Sequence, residues 1–316
     1  MADRPIVGTS FRRCTSRVMG SEAQVVLPDT AGVEIAEESL LRLDWLDCHL
    51  NPYNSESEVA RINEEAAGGW CTIPAWMAAL LVELKRLSEW TEGAFDCTCG
   101  RLLRMWNMLH DGATAHHVVR QPTHADLDRA AALSGWRHVE LDVVGGAVRF
   151  HSPGVELNLS AAAKGYAADW ACRYLKAGGV PAAIVSLGSS SIAAFGLPAG
   201  EAGWRVGLPP NIAPADSIAL CDEAMSVSGS AEQWLSVNGR RRSHIIDPAN
   251  GRPARYGVTA IAICNSALTA EAMSTAAAVR GDAFAARLAA SLPDSRLALQ
   301  QRPGTRARWY GNWRPT

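Results

Sequence analysis

The chain has 316 residues, 48% hydrophobic and 20% charged, with 30 lysines and arginines against 32 acidic residues and a formal net charge of −2. This balance excludes a disordered or collagen-like chain, and the lack of any basic block excludes a polybasic membrane anchor and argues against a nucleic-acid groove. The length allows two compact domains or one large α/β or α+β unit.

The first residues carry no apolar stretch behind a basic one, so no secretory signal is read. No window approaches the roughly 20 apolar residues of a membrane-spanning helix, and a cytoplasmic location is expected. Eight cysteines without a signal are read as reduced thiols. Cys97 and Cys99 flank a single threonine, which is too tight for a Cys-x-x-Cys redox or zinc pair, and are expected to be buried small hydrophobes.

Residues 22–27 are the first strand candidate. Leucines at 40, 41, 43, 46 and 50 predict an amphipathic helix over 34–50, broken at Asn51-Pro52-Tyr53-Asn54. A second helix is predicted over 74–90, followed by a loop, Thr91-Glu-Gly-Ala-Phe-Asp96. Residues 111–122 are polar and irregular. Thr123 is expected to cap a short helix ending near Leu133, and Gly145-Gly146 between two apolar runs predicts a hairpin over 137–151. Residues 160–176 read as a helix stopped by Gly178-Gly179. Short apolar runs at 182–187, 192–197, 205–208, 224–228 and 258–264 read as strands, followed by helices over 269–280 and 282–292 and a strand over 296–300. Helices mixed with hairpins predict an α+β fold, with mixed or antiparallel sheets flanked by helices. The chain is expected to form a single domain over 1–316, any subdomain boundary falling near 111–136.

Four polar clusters could carry chemistry. Asn158-Leu-Ser-Ala-Ala-Ala-Lys164-Gly-Tyr166 runs from a strand end into a helix, a junction that aims backbone N–H groups and the helix dipole at one point and suits a phosphate. Lys164 is expected in the first turn, where a cation opposes the dipole unless an anion compensates; it is one of only three lysines in the chain. Ser243-His244-Ile-Ile-Asp247-Pro places a histidine on a short apolar strand, able to accept a proton near neutral pH. Thr269-Ala-Glu271-Ala-Met-Ser-Thr275 puts a carboxylate and a hydroxyl on one helix face, two hard oxygens that suit Mg²⁺. Tyr53 and Ala94-Phe95-Asp96 supply rings and a carboxylate of the kind a nucleotide or isoalloxazine would use. Each cluster alone has an ordinary structural explanation: a solvated lysine, a strand histidine beside an Asx-turn, a dipole-compensating glutamate, core aromatics.

Taken in order, the segments resemble the ApbE-type FAD:protein FMN transferase family. The likeness runs from Met19-Gly20-Ser21 through Tyr53, Ser57-Glu58-Val59, Arg61-Ile62-Asn63, residues 91–98, Lys164-Gly-Tyr-Ala-Ala-Asp169, Ser228-Gly229 and His244-Ile-Ile-Asp247-Pro248 to Ala270-Glu271-Ala-Met-Ser-Thr275 and about Ala289. The resemblance implies transfer of FMN from FAD, with Mg²⁺, onto a Ser or Thr hydroxyl of an acceptor protein, releasing AMP. It implies FAD contacts at Met19, Tyr53, Ala94, Phe95, Asp96, Asn158, Lys164, Ser228 and Ile245. It implies metal ligands at the Ala161 carbonyl, Glu271 and Thr275, and catalytic roles for His244 and Lys164.

The chain departs from the family pattern at Asn158, Ser189-Ser190 and Val227/Ser230, where Asp, Gly-Asp and Thr/Asp are usual, and at Glu271, where the metal-ligand residue is usually Asp. Three carboxylates are lost and one is lengthened, which should weaken metal binding more than FAD binding. The alternatives are an FAD-binding protein without transferase activity, serving as carrier, sensor or assembly partner, and a slow FAD pyrophosphatase.

Overall fold

Ala23, Val25 and Leu27 alternate with less buried neighbours along Ser21–Pro28, and all three are sealed from solvent. The alternation seats this strand inside a sheet. In the computed structural model, which describes residues 10–108, 116–198, 200–209, 212, 217–230 and 233–313, that sheet has eight strands. Their order is Phe11–Val18, Ser21–Pro28, Ala183–Leu187, Ser191–Phe195, Ala224–Gly229, Thr259–Cys264, Arg296–Gln300 and Arg308–Gly311, every neighbouring pair antiparallel.

The helices are α1 (Glu34–Leu50), α2 (Glu58–Glu65), α3 (Ala75–Trp90), α4 (Gly100–Met105), α5 (His124–Ala132), α6 (Ser160–Ala177), α7 (Ala267–Arg280) and α8 (Asp282–Ser291). Helices α1, α6 and α7 lie against the sheet, with Leu43, Leu46, Ala167 and Leu187 in the main core. The opposite face buries Ile192, Ile261 and Ile263 together with Trp204, Val206 and Ile218 of the ribbon Trp204–Gly207/Ser217–Leu220. None of the described helices is long and apolar enough to cross a membrane.

The alanine-rich α7 is buried over most of its surface, because small side chains let it pass between α6, α8 and the sheet. Its N-terminus is capped from α6. The Asp169 carboxylate accepts the Ala267 N–H (2.8 Å), the Leu268 N–H (3.0 Å) and the Ser266 hydroxyl (2.8 Å), satisfying amides the helix itself leaves open.

The fold is α+β with helix-flanked, largely antiparallel sheets, as expected; one pair, His116–Val119 with Trp234–Val237, is parallel. Thr123 caps α5, its hydroxyl accepting the Asp126 N–H. Several expectations are corrected. The strand Phe11–Val18 precedes the first one expected; it is mostly exposed and arginine-rich, without apolar alternation. Residues 111–115 of the stretch expected to be irregular lie outside the described residues, and His116–Val119 is a strand. Helix α6 starts at Ser160 and α7 at Ala267, so Lys164 and Glu271 sit in second turns, not first. His244 follows the strand Arg240–Ser243 instead of standing on one. The Ser243 hydroxyl accepts the Ile245 N–H (3.0 Å), a local turn that ends the ladder there.

Candidate functional site

Helices α6 and α7 touch where both are smallest. A Cβ on Gly165 would lie 2.7 Å from the Ala267 carbonyl oxygen and 2.6 Å from Glu271 Oε2. That approach lets Glu271 reach across: Oε2 accepts the Gly165 N–H (2.8 Å) and Oε1 accepts the Ser191 hydroxyl (2.6 Å). The carboxylate is 8% exposed and makes no salt bridge among the described residues. Burial raises its pKa to about 7, against the lowering effects of Ser191, Gly165 and the Lys164 charge. The in-helix acceptor for the Gly165 N–H would be the Ala161 carbonyl, for which Glu271 competes.

Lys164 is the hub. Its ammonium lowers the pKa of Glu271 and also that of His244. It also lies near the 188 turn, since a Cβ on Gly188 would be 4.0 Å from Lys164 Nζ and 3.3 Å from Ser21 Cβ. Ser21 closes the turn containing Met19 and Gly20, both at positive φ (52° and 68°), which joins the first two strands. The Met19 N–H is held by Asp47 Oδ2 at 2.7 Å.

His244 is half-buried. Burial, then the Lys164 charge, lowers its pKa, while its bond to Gln233 opposes the shift. Nδ1 lies 2.9 Å from the Gln233 carbonyl oxygen, so it carries the proton and donates. Nε2 is therefore the lone-pair nitrogen, with no protein partner among the described residues. A neutral imidazole with one ring nitrogen left free is the form a general base requires.

A chain of hydroxyls continues from Glu271 along α7. Ser228 Oγ is 2.8 Å from Ser274 Oγ and 3.0 Å from Thr275 Oγ1, and Ser274 reaches Ser226 at 3.2 Å. Ser191, Ser226 and Ser274 were not singled out from sequence. Their pairings span 46 to 80 positions, and serine carries no periodic signal.

The other expected contacts form a second, adjoining group. The Asn158 side chain donates to the Tyr53 hydroxyl (3.1 Å) and accepts the Ser160 N–H (3.0 Å), while its backbone N–H bonds the Cys97 carbonyl (2.8 Å). Tyr53 is 36% exposed, whereas Ala94 and Phe95 are 1% and 2% exposed and sit in the core, so their side chains present almost no surface to a ligand. Asp96 spends its carboxylate on the Thr98 N–H (2.7 Å), the Thr98 hydroxyl (2.6 Å) and Ser88 (3.2 Å); burial nonetheless raises its pKa. Burial first, then the charges of Cys99, Asp96 and Glu271, pushes the buried Cys97 thiol well above its ordinary value, and Ala94 of the same loop packs with Ala270 and Met273 of α7. Ile245 packs on the cluster containing Ala94, Ala270 and Met273.

The expected fan of free amides at the start of α6 is not found. Ser160 N–H is taken by Asn158, and those of Ala162 and Ala163 by the Leu159 carbonyl. An anion here must rely on Lys164 more than on the helix end.

Residues 19–299 match the model of the ApbE family. The chain belongs to that family. It is 29% identical over 245 residues to the FAD:protein FMN transferase of Salmonella typhimurium, covering 75% of this chain and 68% of that protein. It is 30% identical over 263 residues to the protein of that name from Treponema pallidum, covering 78% and 71%. Among solved structures, the apo form of Pseudomonas stutzeri flavinyl transferase ApbE superposes with a TM-score of 0.82 at 26% identity, covering 97% of this chain and 96% of the other.

Of the three positions expected to hold a divalent ion, Glu271 is the one buried carboxylate, and its two oxygens already accept the Gly165 N–H and the Ser191 hydroxyl. Glu271 is a buried carboxylate without a cationic partner in salt-bridge contact, and buried charges are ordinarily paired or bound to metal. Thr275 shares its helix face, and Ala161 is exposed in the first turn of α6. Three hard oxygens suit Mg²⁺, which completes its shell with water and phosphate. Among the described residues no group of three or more His, Cys, Asp or Glu side chains gathers to hold a metal.

Proposed function

We propose that this chain transfers FMN from FAD to a Ser or Thr hydroxyl of an acceptor protein, with Mg²⁺, and releases AMP. One observation carries the reading: the buried Glu271 carboxylate accepts the N–H of Gly165, next to Lys164, at 2.8 Å, and the Lys164 charge also bears on His244, whose Nε2 has no protein partner among the described residues. Family membership and the name shared by the relatives support the same chemistry.

In this reading Met19, Tyr53, Ala94, Phe95, Asp96, Asn158, Ser228 and Ile245 line the FAD site, the core residues among them through backbone atoms. Lys164 lies against the diphosphate and offsets the charge that grows on it. The acceptor hydroxyl gives its proton to His244 Nε2 as its oxygen bonds the phosphorus next to riboflavin. The P–O bond to the AMP half breaks, and AMP leaves with the bridging oxygen. Glu271, Thr275 and the Ala161 carbonyl would hold Mg²⁺, which supplies further charge neutralisation at the phosphates when bound.

Mixing the protein with FAD, Mg²⁺ and an acceptor bearing the target hydroxyl should give a fluorescent band that survives denaturation, with equimolar AMP. The absence of both across acceptors defeats the reading. The loss of carboxylates at 158, 190 and 230 favours a second one, FAD binding without transfer. Tight FAD binding indifferent to EDTA, with no AMP formed, would establish it, and release of free FMN would identify FAD hydrolysis instead.

A further inference from the structure

The strand Arg240–Ser243 is the edge of a small sheet, paired only with Trp234–Val237 among the described residues. Among the described residues no strand or backbone bond meets its other side, which leaves N–H and C=O groups there as a template for another strand. Arg240, Arg241 and Arg242 are all exposed. The Arg241 guanidinium lies 4.5 Å over the Trp234 ring and reaches the Tyr256 hydroxyl at 3.4 Å. Arg240 and Arg242 have no ion-pair partner among the described residues. Arg252 and Arg255 follow on the segment paired with residues 245–247, just past the edge strand, the Ala254 N–H bonding the Ile245 carbonyl at 2.8 Å. Residues 240–256 thus hold five arginines and a single acid, Asp247, a local basic cluster that corrects the expectation of a chain without any basic block. That carboxylate is occupied by the Ala249 N–H (3.0 Å), Asn250 (2.7 Å) and Arg280 (3.7 Å). The edge ends at His244.

We propose that this arginine edge docks the acceptor: an extended, acidic segment of the acceptor protein adds to it as a further strand, its carboxylates pairing with Arg240 and Arg242 and its hydroxyl carried to His244. This rests on the transferase reading for the identity of the site. At about 3.3 Å per strand residue, Arg242 and Arg240 lie about two and four residues back from the base. The acceptor's acidic residues therefore stand two to four positions from the modified Ser or Thr. Charged edges also guard sheets against aggregation. A guard role requires only charge, which a reversal to glutamate preserves, whereas docking requires the positive sign.

The test uses the full chain and a fluorescent eight-residue peptide with one Ser and two Asp at those offsets. Its binding is followed by fluorescence polarisation, with flavin transfer scored in parallel. The wild type should bind the acidic peptide, and Arg240→Glu/Arg242→Glu should bind it about tenfold more weakly or worse while FAD affinity is unchanged. A peptide with Lys in place of Asp should bind the reversed variant better than the wild type. Equal binding by both proteins, or equal binding of Asp and Asn peptides, overturns the proposal, as does an oligonucleotide of equal charge binding as tightly. Acidic-peptide binding without flavin transfer to any acceptor defeats the transferase reading and leaves the docking edge standing. Transfer without acidic preference does the reverse.

Discussion

Glu271 Oε2 accepts the Gly165 N–H at 2.8 Å, a bond between α7 and α6 that joins residues 106 positions apart. It exists only because position 165 lacks a side chain. In Gly165→Ala the new Cβ would meet both Glu271 Oε2 and the Ala267 carbonyl at under 3 Å. The second of these is backbone and cannot swing aside. The substitution should cost about 1–3 kcal/mol in urea unfolding and weaken the Mg²⁺ response of FAD binding.

The same carboxylate predicts a pH dependence of stability. Its folded pKa, about 7, lies above its ordinary value of 4.5. Between those values the folded state holds the proton more tightly than the unfolded state, so stability is greatest at low pH and falls as pH rises through the window. Urea midpoints in EDTA at pH 5 and pH 8 should show wild type losing about 2–3 kcal/mol more than Glu271→Gln over this interval. Equal losses would mean that Glu271 is ionised at both.

His244 and Lys164 can be separated by kinetics. His244→Asn should lower transfer by about 10²–10⁴-fold and leave FAD affinity nearly unchanged. The Lys164 charge holds the His244 pKa down, after burial. In Lys164→Met the imidazole should therefore protonate more readily, and the acid limb of kcat/KM should move to higher pH. A limb that stays in place or moves down contradicts the assignment of His244 as base.

Asp169 supports the site without touching the proposed chemistry. In Asp169→Ala the Ala267 and Leu268 amides at the buried start of α7 lose their acceptor. The loss should be about 1–3 kcal/mol per orphaned group, seen as a lower thermal midpoint. FAD affinity should fall only as far as unfolding accounts for it.

Much of this was legible in the chain because it is local. The leucine spacing of α1, the Thr123 cap and the Gly145-Gly146 hairpin are each decided within a few residues. Lys164, His244 and Glu271 were readable as chemistry-bearing types in a familiar order. What surrounds them was not. The Ser191 bond to Glu271 crosses 80 positions, and Asp169 reads as an ordinary helix residue until α7 is placed against it. Likewise, Phe95 and Asp96 are the residue types a flavin site uses, yet a core position and an Asx-like turn claim their side chains here. Second-turn placement of Lys164 and Glu271 depended on caps at Leu159 and Ser266 that the apolar pattern does not mark.

The account stands on one diphosphate being held by Lys164 within reach of both Glu271 and His244. FAD affinity of Lys164→Met, read by quenching of FAD fluorescence, tests this most directly. Removing a charge-assisted contact to phosphate should weaken binding by about 10–100-fold, with or without Mg²⁺. Affinity equal to wild type would mean that the diphosphate lies elsewhere and that these three side chains do not serve one ligand.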